Sequence, residues 1–340
     1  SAPSVLLTGA KAASLSTQRT VSNPPPSPVA KTGWRDASDF DDTDELGANL
    51  NDQRATDTDM LSTRDEAHDV VAAFRDSEAE SPWTSLDRAK VADRLDELID
   101  YPRGMQQGGM NLCGPAAFFM MALARDPAAV ARCAAELFDT GSAGLGDLVI
   151  SPGSDLVEVD FAAMSQRGNV SSQAEWMLLG ALRNSTSVFW QPSWTGNPQQ
   201  ELAGMSRPEE LADWMRSSGI WSGVTDGGKW ASNPGIPNAM ALLPPVGRDH
   251  ALLINTTMIS RGNAASGVKP DTGFITSQFP NHWVVLLAEP LMDPAETTVS
   301  LSLWTWGGNL RLDVPKRDFL DNYYGAVTGI FDSSATRDVP

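Results

Sequence analysis

Two cysteines and three histidines carry the side chains of this 340-residue chain most able to react near neutral pH. There is no Cys-x-x-Cys pair and no two His stand at ligand spacing on a helix, so neither a metal nor a cofactor is expected. Cys113 and Cys133 allow one disulfide at most, and a chain of this length with one bridge is not a disulfide scaffold. A single thiol with a histidine far along the chain is instead the arrangement of a thiol enzyme. Cys113 stands just before Gly114-Pro115 and the apolar run Ala116 to Ala124, and a proline fits a helix's first turn. Free N–H groups and the helix dipole at such a start lower a thiol's pKa. Cys133 lies among alanines in the middle of a second helix and reads as a buried structural residue.

A base must accompany the thiol. His68 sits in a strongly acidic stretch and reads as a solvated surface residue, while His250 opens a strand beside Asp249 and reads as structural. His282 opens the segment Asn281-His282-Trp283-Val284-Val285-Leu286-Leu287. Placement on a strand holds an imidazole rigidly, as proton transfer requires, so His282 is the preferred base.

The segment Gln107-Gly-Gly-Met-Asn-Leu-Cys113-Gly-Pro-Ala-Ala resembles the nucleophile segment of papain-like cysteine peptidases. That resemblance implies that Gln107, six residues before the thiol, donates its amide to the oxyanion, and that Cys113 opens the central helix. A tetrahedral intermediate carries a negative oxygen and needs such fixed donors. Asn281-His282-Trp283 is similar to the family's histidine at the start of a core strand.

A register argument locates the third group. If Val284 to Ala288 and Thr297 to Trp306 pair antiparallel around the turn from Glu289-Pro290 to Glu296, His282 falls opposite roughly Leu303. Asp293 is then at the far end of the hairpin, ~30 Å away. The group that orients His282 is therefore expected between Ser302 and Trp306. Trp304-Thr305-Trp306-Gly307 lies there and is similar to the family's Asn-Ser-Trp-Gly, with Trp304 at the Asn position. An indole only donates, so it cannot accept a bond from the His282 Nδ1–H. The orienting group is then Thr305, a backbone carbonyl or Asn309, with Trp306 in support, or the site is a Cys–His dyad.

The elements that would position these residues change character along the chain. A short helix of its own is expected over Asp65 to Asp76 within the acidic stretch; further helical patterns start near Ser85, which can cap a run ending before Pro102, and continue through Cys113 to Thr140, Ser172 to Leu182 and Pro208 to Ser217. After Asp249 the runs His250 to Ile259, His282 to Ala288, Thr297 to Trp306 and Asn309 to Val314 read as strands, followed by a short helix and Tyr323-Tyr324-Gly325. Helices first and strands last predict an α+β domain with chemistry at the seam. The expected division is residues 1–80 as a disordered or loosely docked acidic arm containing Pro24-Pro25-Pro26, then a catalytic domain over 81–340. Within it, 81–248 is mainly helical and 249–340 mainly β. The resemblance implies a papain-like arrangement of this domain, with the nucleophile helix packed against a C-terminal antiparallel sheet.

Charge narrows the partners. The chain has 43 acidic against 25 basic residues, a net charge of −18, which argues against a nucleic-acid partner and an anionic membrane surface. From Asp36 to Glu80 there are 15 acids against 3 bases. The longest apolar run is far short of the ~18 residues of a membrane span, and the first residues lack a signal peptide's pattern. The resemblance is strongest to papain-fold toxin domains of secreted bacterial effectors. It implies a cysteine protease acting on a protein substrate after secretion or translocation into a target cell. It also implies an immunity protein and a secretion-apparatus component or chaperone as partners. The same thiol could act on side-chain amides as a deamidase or transglutaminase. A decayed, non-catalytic binding module is the third reading.

Overall fold

The computed structural model describes residues 60–168, 170–186, 192–229, 247–262 and 279–331. The chain is α+β, with helices first and an antiparallel sheet last. Helix α1 spans Arg64–Asp76 and begins with a reciprocal capping box between Thr63 and Glu66. Helix α2 spans Arg88–Asp100 and ends in a 3-10 turn over Pro102–Gly104. Helices α3 (Cys113–Arg125) and α4 (Pro127–Thr140) meet at Asp126, whose carboxylate caps α4. A small hairpin of β1 (Ala143–Leu145) and β2 (Leu148–Ile150) follows, then α5 (Gln173–Ser185) and α6 (Pro208–Ser218).

The main sheet comprises β3 (Gly223–Asp226), β4 (Arg248–Ile254), β5 (His282–Leu286), β6 (Leu291–Met292), β7 (Thr298–Thr305), β8 (Gly308–Pro315) and β9 (Tyr323–Ile330). Their order is β3-β9-β4-β5-β7-β6, with β8 also on β7. Helices α7 (Thr257–Gly262) and α8 (Lys316–Asn322) pack with β8. Alternation along β5 divides two cores: Trp283 and Val285 face the helices, while Val284 and Leu286 join Leu303, Leu312 and Phe319 on the other side. Helix α3 is buried from Cys113 through Leu123, as its all-round apolar sequence requires. Among the described residues, no helix is long and apolar enough to cross a membrane.

Several expectations are corrected. Ordered structure starts before residue 81, because α1 buries Ala67, Val71 and Phe74 in the same core as α2 and α4; residues 1–59 lie outside the described ones. His68 is not simply solvated: its two ring nitrogens meet Asp96 at 2.7 Å and Asp100 at 2.9 Å, tying α1 to α2. Asp87, not Ser85, caps α2, and the Ser85 hydroxyl instead donates to the Val159 carbonyl. The strand from His250 stops at Ile254, where Asn255 accepts from the Thr257 N–H and starts α7. Tyr323-Tyr324-Gly325 opens β9, an interior strand between β3 and β4.

The β5–β7 register also differs, with Val285 opposite Trp304 and Leu286 opposite Leu303. The turn is centred later than expected because the Asp293 carboxylate gathers the N–H groups of Thr297 and Thr298 at 2.6 and 2.8 Å. Asp293 does stand at the far end of the hairpin.

Candidate active site

Cys113 is the first residue of α3, preceded by Leu112 as an N-cap with no side-chain bond to the helix. The uncapped end leaves backbone donors free at the sulfur. The backbone N–H groups of Trp283, Gly114 and Cys113 itself, in that order, favour the thiolate and pull its pKa down. Trp283 follows His282 directly, so the nucleophile helix meets the sheet at the start of β5. The contact is close because residue 114 is glycine: a Cβ there would lie 2.6 Å from both Cβ and Oγ of Ser206. Ser206 in turn accepts the Trp283 indole N–H through its carbonyl at 2.9 Å. At the other end of α3, Arg125 binds Asp249 of β4 in a two-pronged pair at 2.9 and 2.8 Å.

His282 is held on two sides. Its Nε2 lies 2.6 Å from Thr305 Oγ1, and its ring stacks on Trp306 with centroids 4.5 Å apart and planes 21° from parallel. The anchoring nitrogen is Nε2, not the Nδ1 expected, so Nδ1 is the nitrogen left by Thr305. Trp306 reaches this position from a two-residue hairpin turn in which both it (φ 48°) and Gly307 (φ 80°) are left-handed. That conformation strains a residue with a bulky side chain. Gly307 is required twice over, since a Cβ there would also meet the Gln106 side chain at 2.4 Å.

Trp304 and Asn309 do not orient His282. They are paired across β7 and β8. The Trp304 indole points to the helical side and donates to the Arg103 carbonyl at 2.7 Å, bracing the loop that leads to Gln107. Asn309 is 2% exposed and neither end of its amide is bonded.

The loop before the thiol has a second brace that sequence reasoning missed. Glu175 of α5 is fully buried; it accepts from Arg94 at 2.6 Å, from the Gln106 N–H at 3.2 Å and from the Ser172 hydroxyl. Arg94 also donates to the Gly104 carbonyl at 2.7 Å. Nothing in the spacing of Arg94 and Glu175, 81 residues apart, announces this pair. Gln107 is 6% exposed, and its Oε1 is buried without a partner.

Burial dominates the electrostatics. It pushes the Cys113 thiol up to about 11 against the backbone bonds that pull it down, and lowers His282 to about 3. The expected low thiol pKa is thus overturned: the helix start is present, but desolvation outweighs it. Each group is favoured in its uncharged form. His250 is likewise lowered by burial, to about 4, and bonds Thr328 at 2.9 Å. Cys133 is fully buried and pushed up to about 12, first by burial and then by the Glu136 carboxylate. Among the described residues, no group of three or more His, Cys, Asp or Glu is placed to hold a metal ion.

No protein-family model matches the chain, and no curated protein matches it. The site's own geometry is therefore what supports a functional reading.

Proposed function

We propose that the chain is a cysteine-dependent amide hydrolase of papain-like type, with Cys113 as nucleophile and His282 as base. One observation carries this reading. Gly114, next to the thiol, packs on Trp283, the residue following His282, while Thr305 and Trp306 fix that imidazole by Nε2 and leave Nδ1 as base. Because both groups rest uncharged, proton transfer accompanies attack: the sulfur–carbon bond forms as the thiol proton moves to His282 Nδ1. The Cys113 N–H and Gln107 Nε2 are the donors assigned to the developing oxyanion. Collapse expels the amine with the proton from His282, and water then releases the acyl group from sulfur.

The protease reading of the sequence belongs to this proposal, as does action on a protein substrate by a translocated effector. The decayed-module reading is less well supported, because Thr305 fills the orienting position that Trp304 vacates. The test is alkylation of the intact chain with iodoacetamide between pH 5 and 9, in wild type and in His282→Ala. Modification of Cys113 should depend on His282 and climb through this range, since no thiolate is preformed. Equal rates in the two proteins would sink the assignment of His282 as base.

A further inference from the structure

Resting on that thiol reading, we propose that the buried ion pair Arg183–Glu210 is a positioning device for the Cys113–His282 site. It acts through the strap of residues 203–207, which it holds at both ends. Arg183 of α5 has no exposed surface, and Glu210 of α6 is 6% exposed. Arg183 Nη1 donates to Glu210 Oε1 at 3.1 Å, and each partner has a second hold on the backbone. Arg183 Nε donates to the Ala203 carbonyl at 2.7 Å, where the strap begins. Glu210 Oε2 accepts the Arg207 N–H at 2.8 Å, where the strap ends. Neither side chain has a part in the chemistry set out above.

Between those two holds the strap meets the candidate site at three places. A Cβ at Gly204 would lie 2.7 Å from the Asn111 carbonyl oxygen and 3.1 Å from that of Met110. Glycine is therefore what lets the strap lie against the loop just before Cys113. Asn111 is itself left-handed at φ 58°, a conformation that asparagine tolerates better than most residues. Ser206 packs on Gly114, the residue after the thiol. The Ser206 carbonyl accepts the indole N–H of Trp283, the residue after the base, at 2.9 Å. One strap thus fixes the chain before the thiol, the chain after it and the chain after the imidazole. A shift of the strap changes the register of thiol and base, and a misplacement of about 1 Å can cost about a hundredfold in rate.

Stability alone does not call for charges here. Desolvation of two buried charges is costly, and an apolar pair of similar volume often supports a fold equally well. An apolar pair, however, has no donor for the Ala203 carbonyl and no acceptor for the Arg207 N–H. The guanidinium is a rigid planar fork, so it fixes a carbonyl and a carboxylate at one set spacing. What the two charges add is the placement of residue 203 relative to residue 207, and with it the placement of Gly204 and Ser206.

The test reads the coupling of thiol and base in the full chain, as the effect of His282→Ala on the iodoacetamide modification rate of Cys113. Peptide mass mapping separates Cys113 from Cys133. In the wild type, His282→Ala should slow modification roughly a hundredfold, the lower end of what a positioned base contributes. Arg183→Met with Glu210→Met removes the pair and nearly keeps its volume. Gly204→Ala keeps the pair and pushes the strap off the Asn111 carbonyl. In both backgrounds His282→Ala should slow modification by less than about threefold, because the misplaced base no longer contributes. Thermal melts should remain cooperative. A pair that served the fold alone would leave the coupling intact, so the full His282 effect in either folded variant would overturn the proposal. Loss of cooperative melting in the double variant would overturn it too, since the pair would then be a requirement of the fold. Absence of any His282 effect in the wild type is a different failure: it removes the thiol reading itself, without reference to residues 183, 204 or 210.

Discussion

Thr305 Oγ1 lies 2.6 Å from His282 Nε2, although the two residues are 23 apart in sequence and on different strands. A base at Nδ1 needs the tautomer in which Nε2–H donates to this hydroxyl, leaving the Nδ1 lone pair free. Thr305→Val keeps the branched shape and removes only the acceptor. Turnover should fall about 100-fold, the lower end of what positioned acid–base groups contribute. Thr305→Ser should recover most of it, and the KM should hardly move. An active Thr305→Val enzyme would show that Trp306 stacking alone orients the ring.

The three histidines predict stability that declines on both sides of neutrality. His68 is raised, chiefly by its bond to Asp96, so its contribution is complete below its unfolded value near 6.5. That contribution is lost as pH rises through the higher folded value. His250 and His282 are lowered to about 4 and about 3 by burial. The unfolded chain therefore takes up their protons first, and stability falls as pH drops below about 6.5. Urea midpoints at pH 5, 6.5 and 8 read both limbs. His68→Gln should flatten the alkaline limb and leave the acid one unchanged; an unaltered alkaline decline would remove His68 from the account.

A chain beginning at Met60 retains α1, and one beginning at Ser81 does not. The second should be markedly less stable, since loss of Phe74 packing alone costs about 3–5 kcal/mol. The Phe74 ring meets Phe138 edge-on at 5.2 Å, and α1 covers α4 at that point. Comparison of the two midpoints in urea decides the matter. Equal midpoints would mean that α1 is an appendage to the core.

How far the sequence was legible depended on how local each determinant is. Helix α3 and its thiol were readable, because Gly114-Pro115 and an unbroken apolar run encode a buried helix start within a few residues. The strand bearing His282 was readable for the same reason. Thr305 was named among the alternatives, but choosing it over Asn309 needed the β7 alternation that turns Trp304 toward Arg103. The thiol's environment was misjudged because burial depends on the whole fold, whereas a helix dipole can be read from a short segment. Strand β9 was missed since its Tyr-Tyr-Gly start looks like a tail until β4 is present to pair with it. Glu175 and Arg94 were invisible for want of any local pattern.

Helix α3 behaves as a strut pinned at both ends, by Gly114 against Ser206 and Trp283, and by Arg125 against Asp249. A helix of 13 residues is about 20 Å long. Sulfur position is thus tied to two sheet strands, β5 and β4, as well as to the helices that bury α3. Any force that parts β4 from β5 would be felt at the sulfur directly, because the strut spans them.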